Sequence, residues 1–292
     1  MDDFLKIYGT QADGPAAGAA LSARRDLPPP GTNPEGPLAI GVSAGQHVIL
    51  AGGVNIVVSP YFRWKRIFDI PLAGLMLIPA LPVIGLLVMM VRLTSRGPGI
   101  YRQLRVGKNG RIFTMFKIRS MRQDAEAGRG AVWSQDNDPR STRLGQILRK
   151  LHLDELPQLY NVLRGEMSLV GPRPERPQFV TVLAAQIDGY YDRLTVEPGI
   201  TGLAQINLPP DTDVNCVRRK LFLDREYIHS ADWFFDLRIV LCTAGRMLRI
   251  SQPTLLRVLG LRRKVPAQVI SSPATIEDRR GEPPELHGRR AA

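Results

Sequence analysis

The chain has 292 residues, and its 39 Lys and Arg residues against 27 Asp and Glu give a formal net charge of +12. Hydrophobic residues make up 44% of the chain and charged residues 23%, which excludes a wholly disordered protein and leaves room for one or two domains. Two distant cysteines, Cys216 and Cys242, and four scattered histidines give poor support to a disulfide framework, a thiolate metal site or a redox motif.

Residues 1–60 begin with an acidic, Ala- and Gly-rich stretch that continues into Pro-rich sequence. This composition is typical of a linker, so we predict a flexible N-terminal arm over residues 1–60. We expect no signal peptide, because Met1-Asp2-Asp3 is not the basic segment that precedes an apolar core in such peptides.

An apolar run follows, with 22 consecutive uncharged residues from Ile70 to Val91. As a straight helix the run is about 33 Å long, which suffices for a hydrocarbon core of roughly 30 Å. With its flanks, residues 61–96, it is predicted to be a membrane segment. The alternative is a buried helix of a soluble protein.

Two prolines, Pro79 and Pro82, lie near the middle of this run. Each removes a backbone donor and crowds the preceding turn, so we expect the helix to kink or break there. Basic residues flank both ends, and a single straight span would place only one basic flank in the cytoplasm. The pattern favours a re-entrant helix that returns to the same face. A proline-kinked spanning helix remains the alternative.

A β-hairpin is predicted next, with Lys108-Asn109-Gly110 as its turn. Strand alternation after the turn places Lys117 and Arg119 on one polar face. Nine basic residues and no acidic residue lie between Arg92 and Arg122, which indicates an anionic surface or an anionic substrate.

The remainder predicts several helices, at about 144–151, 154–164, 217–228 and 233–250, after a polar loop at 121–140. The expected fold class is therefore α+β and mainly helical. It consists of a compact cytosolic domain over residues 97–251 with a small β-hairpin, attached to the re-entrant helix. Residues 252–292 are predicted to be a basic, partly disordered tail.

The segment Leu153–Leu159 carries the most compact candidate site. Pro157 is tolerated only in the first turn of a helix, which places Asp154 at or near the N-cap, where the helix dipole keeps a carboxylate ionised. Such an aspartate is a suitable phosphoryl acceptor, and Glu155 supplies a hard oxygen ligand for Mg²⁺. The simpler interpretation is an ordinary N-cap followed by a solvent-facing glutamate.

Arg173 lies between two prolines, Pro172 and Pro174, which restrict its backbone and present the guanidinium from a stiff turn. Bidentate phosphate recognition requires such a planar fork. Together with Lys117 and Arg119, this side chain could bind the charge of a nucleotide diphosphate. A polyproline-like surface turn is the alternative interpretation.

Seven sequence blocks in this order resemble a known family, the monotopic phosphoglycosyl transferases, also called bacterial sugar transferases. The resemblance covers about residues 63–249. The blocks are Lys65-Arg66-Ile67-Phe68-Asp69; Gly97-Pro98 with Tyr101-Arg102-Gln103 and Arg105-Val106-Gly107; Phe116-Lys117-Ile118-Arg119-Ser120-Met121; Asp138-Pro139-Arg140; Leu153 to Leu163; Met167 to Pro174; and Pro198-Gly199-Ile200-Thr201-Gly202-Leu203.

The resemblance implies transfer of a sugar 1-phosphate from a UDP-sugar to undecaprenyl phosphate with release of UMP, which initiates assembly of an exopolysaccharide, capsule or O-antigen repeat. It implies that Asp154 is the nucleophile of a covalent phospho-sugar intermediate, that Glu155 binds Mg²⁺, and that Lys117 and Arg173 act on the phosphates. It also implies a re-entrant helix in the bacterial inner membrane, with the catalytic domain on the cytoplasmic face.

Two positions depart from the family pattern. Leu81 precedes Pro82 where the family often has serine, and His152 stands where serine is common. We interpret His152 as a simple substitution, with a second base as the alternative. The identity of the sugar and homo-oligomer formation are left open. The competing hypothesis is a non-catalytic basic protein anchored to anionic lipid; a nucleic-acid partner is not expected, because only the sequence pI suggests one.

Overall fold

The structure is a computed structural model that describes residues 56–123, 125, 138–266 and 269. All of these residues belong to one unit by their internal contacts. The predicted arm over residues 1–60 lies almost entirely outside the described residues, as does the part of the tail after residue 269. Most of the polar loop predicted at 121–140 also lies outside them.

Helix α1, Lys65–Thr94, contains the apolar run and follows a short 3₁₀ turn at Pro60–Arg63. It is long and apolar enough to cross a membrane, with a mean hydropathy of 2.5 in its most apolar stretch. Much of its surface is uncovered: Leu75 is 68% exposed and Ile78 is 70% exposed. Apolar side chains at this exposure favour a non-aqueous environment.

The expected break of this helix at Pro79 and Pro82 is wrong, because α1 continues as one helix through both residues and through Pro71. A kink at these prolines stays a prediction. A proline in a helix removes one hydrogen bond, but its fixed φ is itself helical, so the backbone can continue. A continuous helix does not decide how α1 lies in a membrane. The re-entrant arrangement therefore stays a prediction.

The predicted hairpin is confirmed. Strands β1, Ile100–Val106, and β2, Ile112–Ile118, pair antiparallel, with Val106 opposite Ile112. The turn between them places Asn109 at φ 54° and Gly110 at φ 76°. Asparagine and glycine tolerate this left-handed backbone better than other residues, which explains why the Asn-Gly pair was informative.

A second sheet was not predicted. It consists of β3, Ser168–Val170, and β4, Gly199–Thr201, which pair in parallel. The two segments approach so closely that a Cβ on Gly199 would lie 2.0 Å from the backbone nitrogen of Gly171. Glycine is therefore required at this contact, and the contact fixes the turn after β3 against the start of β4.

Helices form the rest of the domain, and the mainly helical α+β class is confirmed. The predicted helix at 144–151 is confirmed as α2, and those at 217–228 and 233–250 as α6 and α7, whereas α4, α5 and α8 were not predicted. The bounds are α2, Arg143–Lys150; α3, Gln158–Leu163; α4, Pro177–Gln186; α5, Leu203–Asn207; α6, Val214–Ser230; α7, Trp233–Met247; and α8, Gln252–Val258.

The core lies between α3, α5, α6, α7 and the β3–β4 pair, and Leu223, Ile239 and Cys242 are fully buried in it. Cys242 is thus a small core residue. Leu256 of α8 and Leu261 join the same core. The packed domain therefore extends beyond residue 251, its predicted end.

A buried ionic cluster fixes the beginning of α1 to the domain. The Lys65 ammonium donates to Asp236 of α7 and lies 3.3 Å from Oδ1 of Asp69. Ser168 of β3 donates to Asp69 at 2.6 Å, and Tyr227 of α6 donates to Asp236 at 2.7 Å. Lys65 and the two carboxylates that it contacts thus join α1 to α7, β3 and α6. Burial strengthens each of these bonds.

The end of α1 is fixed to the same domain. Arg119, which directly follows β2, donates from Nη2 to the carbonyl and the hydroxyl of Ser95, the residue after α1, at 2.8 and 2.7 Å. Leu87 and Val91 pack against Ile118 of β2 and Leu148 of α2. Both ends of the apolar helix are therefore held by one domain.

Replacing Lys65 with methionine should destabilise the protein by about 3–5 kcal/mol, because two buried carboxylates would lose their shared cation. Thermal unfolding in detergent measures the effect. The exposed Arg63, two residues earlier, supplies the matched control, and Arg63→Met should unfold close to the wild type. Equal unfolding temperatures for Lys65→Met and the wild type would show that the cluster contributes no net stability.

Candidate active site

A 3₁₀ turn, Leu153–Glu155, carries the two candidate carboxylates. The predicted position of Asp154 at a helix N-cap is wrong. Helix α3 begins only at Gln158, with Pro157 as its cap residue and without a capping side chain. Proline is at home at this boundary, but it lies three residues after Asp154, so the turn and not the helix end positions the carboxylate.

Glu155 lies between two of the predicted cations. Its Oε1 accepts a hydrogen bond from Nζ of Lys117 at 2.8 Å and another from Nη2 of Arg173 at 2.8 Å. Burial alone would raise the pKa of the Glu155 carboxyl, but the charges of Arg173 and Lys117 outweigh it and hold that pKa well below its usual range. Glu155 is therefore ionised throughout the physiological range.

Asp154 is in a different state. Its side chain is only 7% exposed, and among the described residues it makes neither a hydrogen bond nor an ion pair. Burial raises the pKa of its carboxyl; the nearby Lys117 charge lowers that pKa, and Glu155 raises it further. A poorly solvated carboxylate beside two cations is free to attack an electrophile that those cations bind.

The position of Lys117 depends on Asn161, a fully buried residue of α3. The Asn161 side-chain amide accepts from the Phe116 backbone nitrogen at 3.2 Å and donates to the Thr114 carbonyl at 2.8 Å. These bonds occupy the backbone groups of β2 just before Lys117. The segment 153–163 thus carries Asp154 and Glu155 and also, through Asn161, holds the strand β2 that supplies Lys117.

Two arginines, the buried Arg193 and the half-buried Arg105, hold the loop that carries Arg173. Arg193 donates from Nη2 to the Arg173 carbonyl at 3.0 Å, and Arg105 donates from Nη1 to the Pro174 carbonyl at 2.8 Å. Arg193 is itself paired with Asp224 at 3.0 Å. The Arg173 guanidinium donates from Nη1 to Oε1 of Gln205 at 2.9 Å, and the Glu155 charge raises its pKa. These contacts hold the backbone at Arg173 and orient its guanidinium, as the two flanking prolines predict.

Of the predicted site residues, the structure brings together Asp154, Glu155, Lys117 and Arg173, but it does not place Arg119 in their hydrogen-bond network. The Arg119 guanidinium contacts Ser95 instead, and its Nε and Nη1 atoms are buried without a hydrogen-bond partner among the described residues. Its structural role is at the end of α1. Strand alternation places Arg119 on the same face as Lys117, but the two side chains have no hydrogen-bond partner in common among the described residues.

His152 adopts the left-handed backbone conformation, with φ 54°. Its ring is half-buried, and burial lowers the pKa of the imidazole below its usual value. His152 is therefore neutral near pH 7 and adds no positive charge to the site. The conformation explains the tight reversal between α2 and the 3₁₀ turn.

The chemistry of the donor set fits Mg²⁺ only in part. Among the described residues, no group of three or more His, Cys, Asp or Glu side chains could enclose a metal ion. Mg²⁺ is, however, commonly held by one or two carboxylates together with substrate phosphates and water. The adjacent carboxylates of Asp154 and Glu155 fit that mode, in which Glu155 would be the protein's main metal ligand.

Sequence reasoning missed Asn161, Arg193 and Gln205 as residues that support the site. The only signal was that Asn161 is an uncharged polar residue within an apolar helix pattern. Arg193 and Gln205 gave none, because their contacts join segments far apart in the chain.

Comparison with known proteins gives a consistent result. The family model described as bacterial sugar transferase matches residues 60–250. An undecaprenyl-phosphate glucose phosphotransferase of Komagataeibacter xylinus is 43% identical over 196 residues, which cover 64% of this chain and 37% of that protein. A UDP-glucose:undecaprenyl-phosphate glucose-1-phosphate transferase of Caulobacter vibrioides is 38% identical over 214 residues, which cover 73% of this chain and 79% of that protein.

A third relative, a putative undecaprenyl-phosphate N-acetylgalactosaminyl 1-phosphate transferase of Bacillus subtilis, is 49% identical over 134 residues, or 46% of this chain and 74% of that protein. The chain thus spans less than half the length of the Komagataeibacter relative but most of the length of the other two. The matched region contains the whole carboxylate and cation network.

The opposed effects of Lys117 and Glu155 on Asp154 can be measured directly. Lys117→Met should raise the pKa of the Asp154 carboxyl, because a stabilising positive charge is lost, whereas Glu155→Gln should lower it, because a repelling negative charge is lost. Titration of the Asp154 ¹³Cγ chemical shift in detergent reports both. Shifts of the same sign in the two variants would contradict this electrostatic account.

Proposed function

Because the chain belongs to the bacterial sugar transferase family, we propose that it transfers a sugar 1-phosphate from a UDP-sugar to undecaprenyl phosphate, releases UMP, and so initiates the assembly of a polysaccharide repeat. The relatives' names support this proposal, since each contains undecaprenyl phosphate. They differ in the sugar, which is glucose in two and N-acetylgalactosamine in the third.

The unpaired carboxylate of Asp154 is the observation that carries the proposal. Glu155 is engaged by Lys117 and Arg173, but Asp154 has no such engagement among the described residues. The same two cations lie where they can bind the phosphates of a nucleotide sugar, and a nucleophile beside a bound diphosphate is placed for in-line attack.

In the first step, an Asp154 oxygen attacks the phosphorus that bears the sugar. A bond forms between Oδ and phosphorus, the bridging bond to the UMP phosphate breaks, and UMP leaves with the electron pair. In the second step, an oxygen of the lipid phosphate attacks the same phosphorus, and the Asp154 carboxylate leaves. Two displacements avoid a direct encounter of two anionic substrates, and Lys117 and Arg173 stabilise the charge in each.

Glu155 has two functions in this proposal. It holds the Lys117 and Arg173 side chains close to each other through hydrogen bonds to one carboxylate oxygen. It would also hold Mg²⁺ together with the substrate phosphates. When bound, Mg²⁺ would neutralise part of the diphosphate charge. Gln205 and Arg193 act on the orientation of Arg173 and do not touch the reacting atoms.

We also propose that α1, kinked at Pro79 and Pro82, enters and leaves the inner membrane on the cytoplasmic face. The ionic cluster at Lys65 and the Arg119–Ser95 contact tie both ends of the helix to one domain. A spanning helix would separate its ends by the membrane thickness. The exposed side chains Phe234 and Leu241 on α7 add apolar surface, and Trp233 links this surface to Phe68 of α1 at a ring separation of 4.7 Å.

The covalent step predicts a trapped species. Wild-type protein mixed with UDP-glucose or UDP-N-acetylgalactosamine and no lipid acceptor should gain the mass of one sugar phosphate, less one water, in intact mass spectrometry. Asp154→Asn should show no gain and no UMP release, because an amide is a poor nucleophile. The exposed Asp188 provides the control, and Asp188→Asn should be modified like the wild type.

An active wild-type protein that never gains this mass, or an Asp154→Asn variant that still releases UMP, would contradict the covalent intermediate. Glucose and N-acetylgalactosamine donors are chosen because relatives carry these sugars in their names. The same experiment therefore ranks the two sugars.

The membrane arrangement predicts one-sided labelling. In a Cys216→Ser background, cysteines introduced at the exposed positions Arg63 and Arg96, which flank α1, should both react with a membrane-impermeant maleimide in inside-out vesicles. Neither should react in right-side-out vesicles, because both flanks lie on the cytoplasmic face. Labelling of the two positions from opposite sides would show that α1 spans the membrane.

A further inference from the structure

An open cleft of about 320 Å³ lies at the ends of α2 and α7, and none of its lining residues has a role in the steps described above. Its volume is at the lower end of the range for ligand sites. Three cations and no carboxylate line it, so an anionic ligand is favoured there. The lining residues are Lys150, Leu151, Arg246, Arg249, Ile250 and Gln252.

The cleft adjoins the carboxylate pair. Leu151 precedes Asp154 by three residues, so their Cα atoms are separated by at most about 11 Å. Arg246 donates to the Gln205 backbone carbonyl at 3.4 Å, and the side chain of Gln205 accepts from Arg173. A ligand in the cleft would therefore reach toward the phosphates that Arg173 binds.

The cations of the cleft are not neutralised within the described part of the chain, where no carboxylate is paired with Lys150, Arg246 or Arg249. Lys150 and Arg249 are exposed, whereas Arg246 is half-buried. Arg249 closes the end of α7 in the left-handed conformation, with φ 61°. A concentration of three positive charges without a counter-charge favours the binding of an anion such as a phosphate.

Apolar side chains adjoin these charges. Ile250 lines the cleft itself and is 47% exposed, while Leu248, a neighbour in sequence of the lining residue Arg249, is 77% exposed. Leu148 of α2, two residues before Lys150, packs against Leu87 and Val91 of the apolar helix α1. The cleft thus combines positive charge with apolar surface close to the membrane-type helix, and no aromatic ring in its lining offers a nucleotide base a stacking partner.

We propose that this cleft binds the phosphate of the polyprenyl phosphate acceptor through Lys150, Arg246 and Arg249, with Leu151 and Ile250 against the first units of its apolar chain. The inference rests on the proposed function, because it names the subsite of the second substrate in that reaction. It separates the acceptor from the donor, whose phosphates bind at Lys117 and Arg173.

The test uses Lys150→Gln and Arg249→Gln in full-length protein, reconstituted in nanodiscs of neutral phosphatidylcholine. Each substitution removes one charged contact and should raise the KM for undecaprenyl phosphate about tenfold. The KM for the UDP-sugar and the UMP burst without acceptor should stay within about twofold of the wild type, because the covalent step does not use the cleft. Arg249→Lys should recover most of the affinity, since it keeps the charge. Arg246 is left unchanged because it contacts Gln205.

The exposed Arg257 of α8, which lies outside the lining, supplies the matched control, and Arg257→Gln should leave both KM values unchanged. A raised KM for the UDP-sugar with an unchanged acceptor KM would overturn the proposal in favour of a nucleotide subsite. Unchanged KM values for both substrates would also overturn it. The proposal would also be overturned if the variants no longer pelleted with phosphatidylglycerol vesicles while their KM for the acceptor was unchanged. The cations would then bind the headgroups of bilayer lipids.

Retention of undecaprenyl phosphate in native mass spectrometry gives a readout that needs no turnover. The wild type should retain the lipid, and the Lys150→Gln/Arg249→Gln double variant should lose it at an unchanged unfolding temperature. If the wild type released no UMP but showed this difference in retention, the proposed reaction would fail and the cleft assignment would stand. Equal retention by the two proteins would refute the cleft assignment.

Discussion

One carboxylate oxygen joins the parts of the site. Oε1 of Glu155 accepts from Lys117 at the end of the hairpin and from Arg173 in the loop after β3, so three segments distant in sequence meet at one atom. Without that negative charge the two cations would repel each other in a poorly solvated place. The geometry of the site thus depends on the ion triad of Glu155, Lys117 and Arg173. The same three charges act on the Asp154 carboxylate.

Support for this triad comes from polar groups buried behind it. Asn161 fixes the strand that carries Lys117, and Arg193 fixes the backbone that carries Arg173. The close approach of Gly171 and Gly199 limits the movement of the same loop. Buried polar networks of this kind specify one arrangement more than they add stability, which suits the proposed reaction, in which both substrates act at one carboxylate.

Much of this could be read from the sequence. Asp154, Glu155, Lys117 and Arg173 were found because their residue types and turn contexts are themselves informative, and the Asn109-Gly110 turn fixed the hairpin. The N-cap assignment failed because Pro157 marks a helix boundary but does not reveal a preceding 3₁₀ turn. The contact of Arg119 with Ser95 could not be predicted, because alternation predicts a strand face, whereas the contact partner depends on tertiary structure.

Other features gave no readable signal. Strands β3 and β4 have three residues each, which is too short for a period of two to appear. The cluster around Lys65 joins residues 171 positions apart, and local patterns carry no information on such pairs. The continuity of α1 through three prolines gave no signal either, since proline preferences alone favour a break.

The attachment of α1 at both ends has a consequence for the kind of bilayer that the protein can occupy. A helix stretched between two membrane faces must match the hydrocarbon thickness or tilt to accommodate it. A helix whose two ends return to one domain has no such length to match, because the opposite leaflet's surface sets no boundary for it. If α1 enters and leaves the membrane on one face as proposed, variation in acyl chain length would leave the depth of Asp154 unchanged, and the protein alone would set the distance from the carboxylate to the headgroup plane.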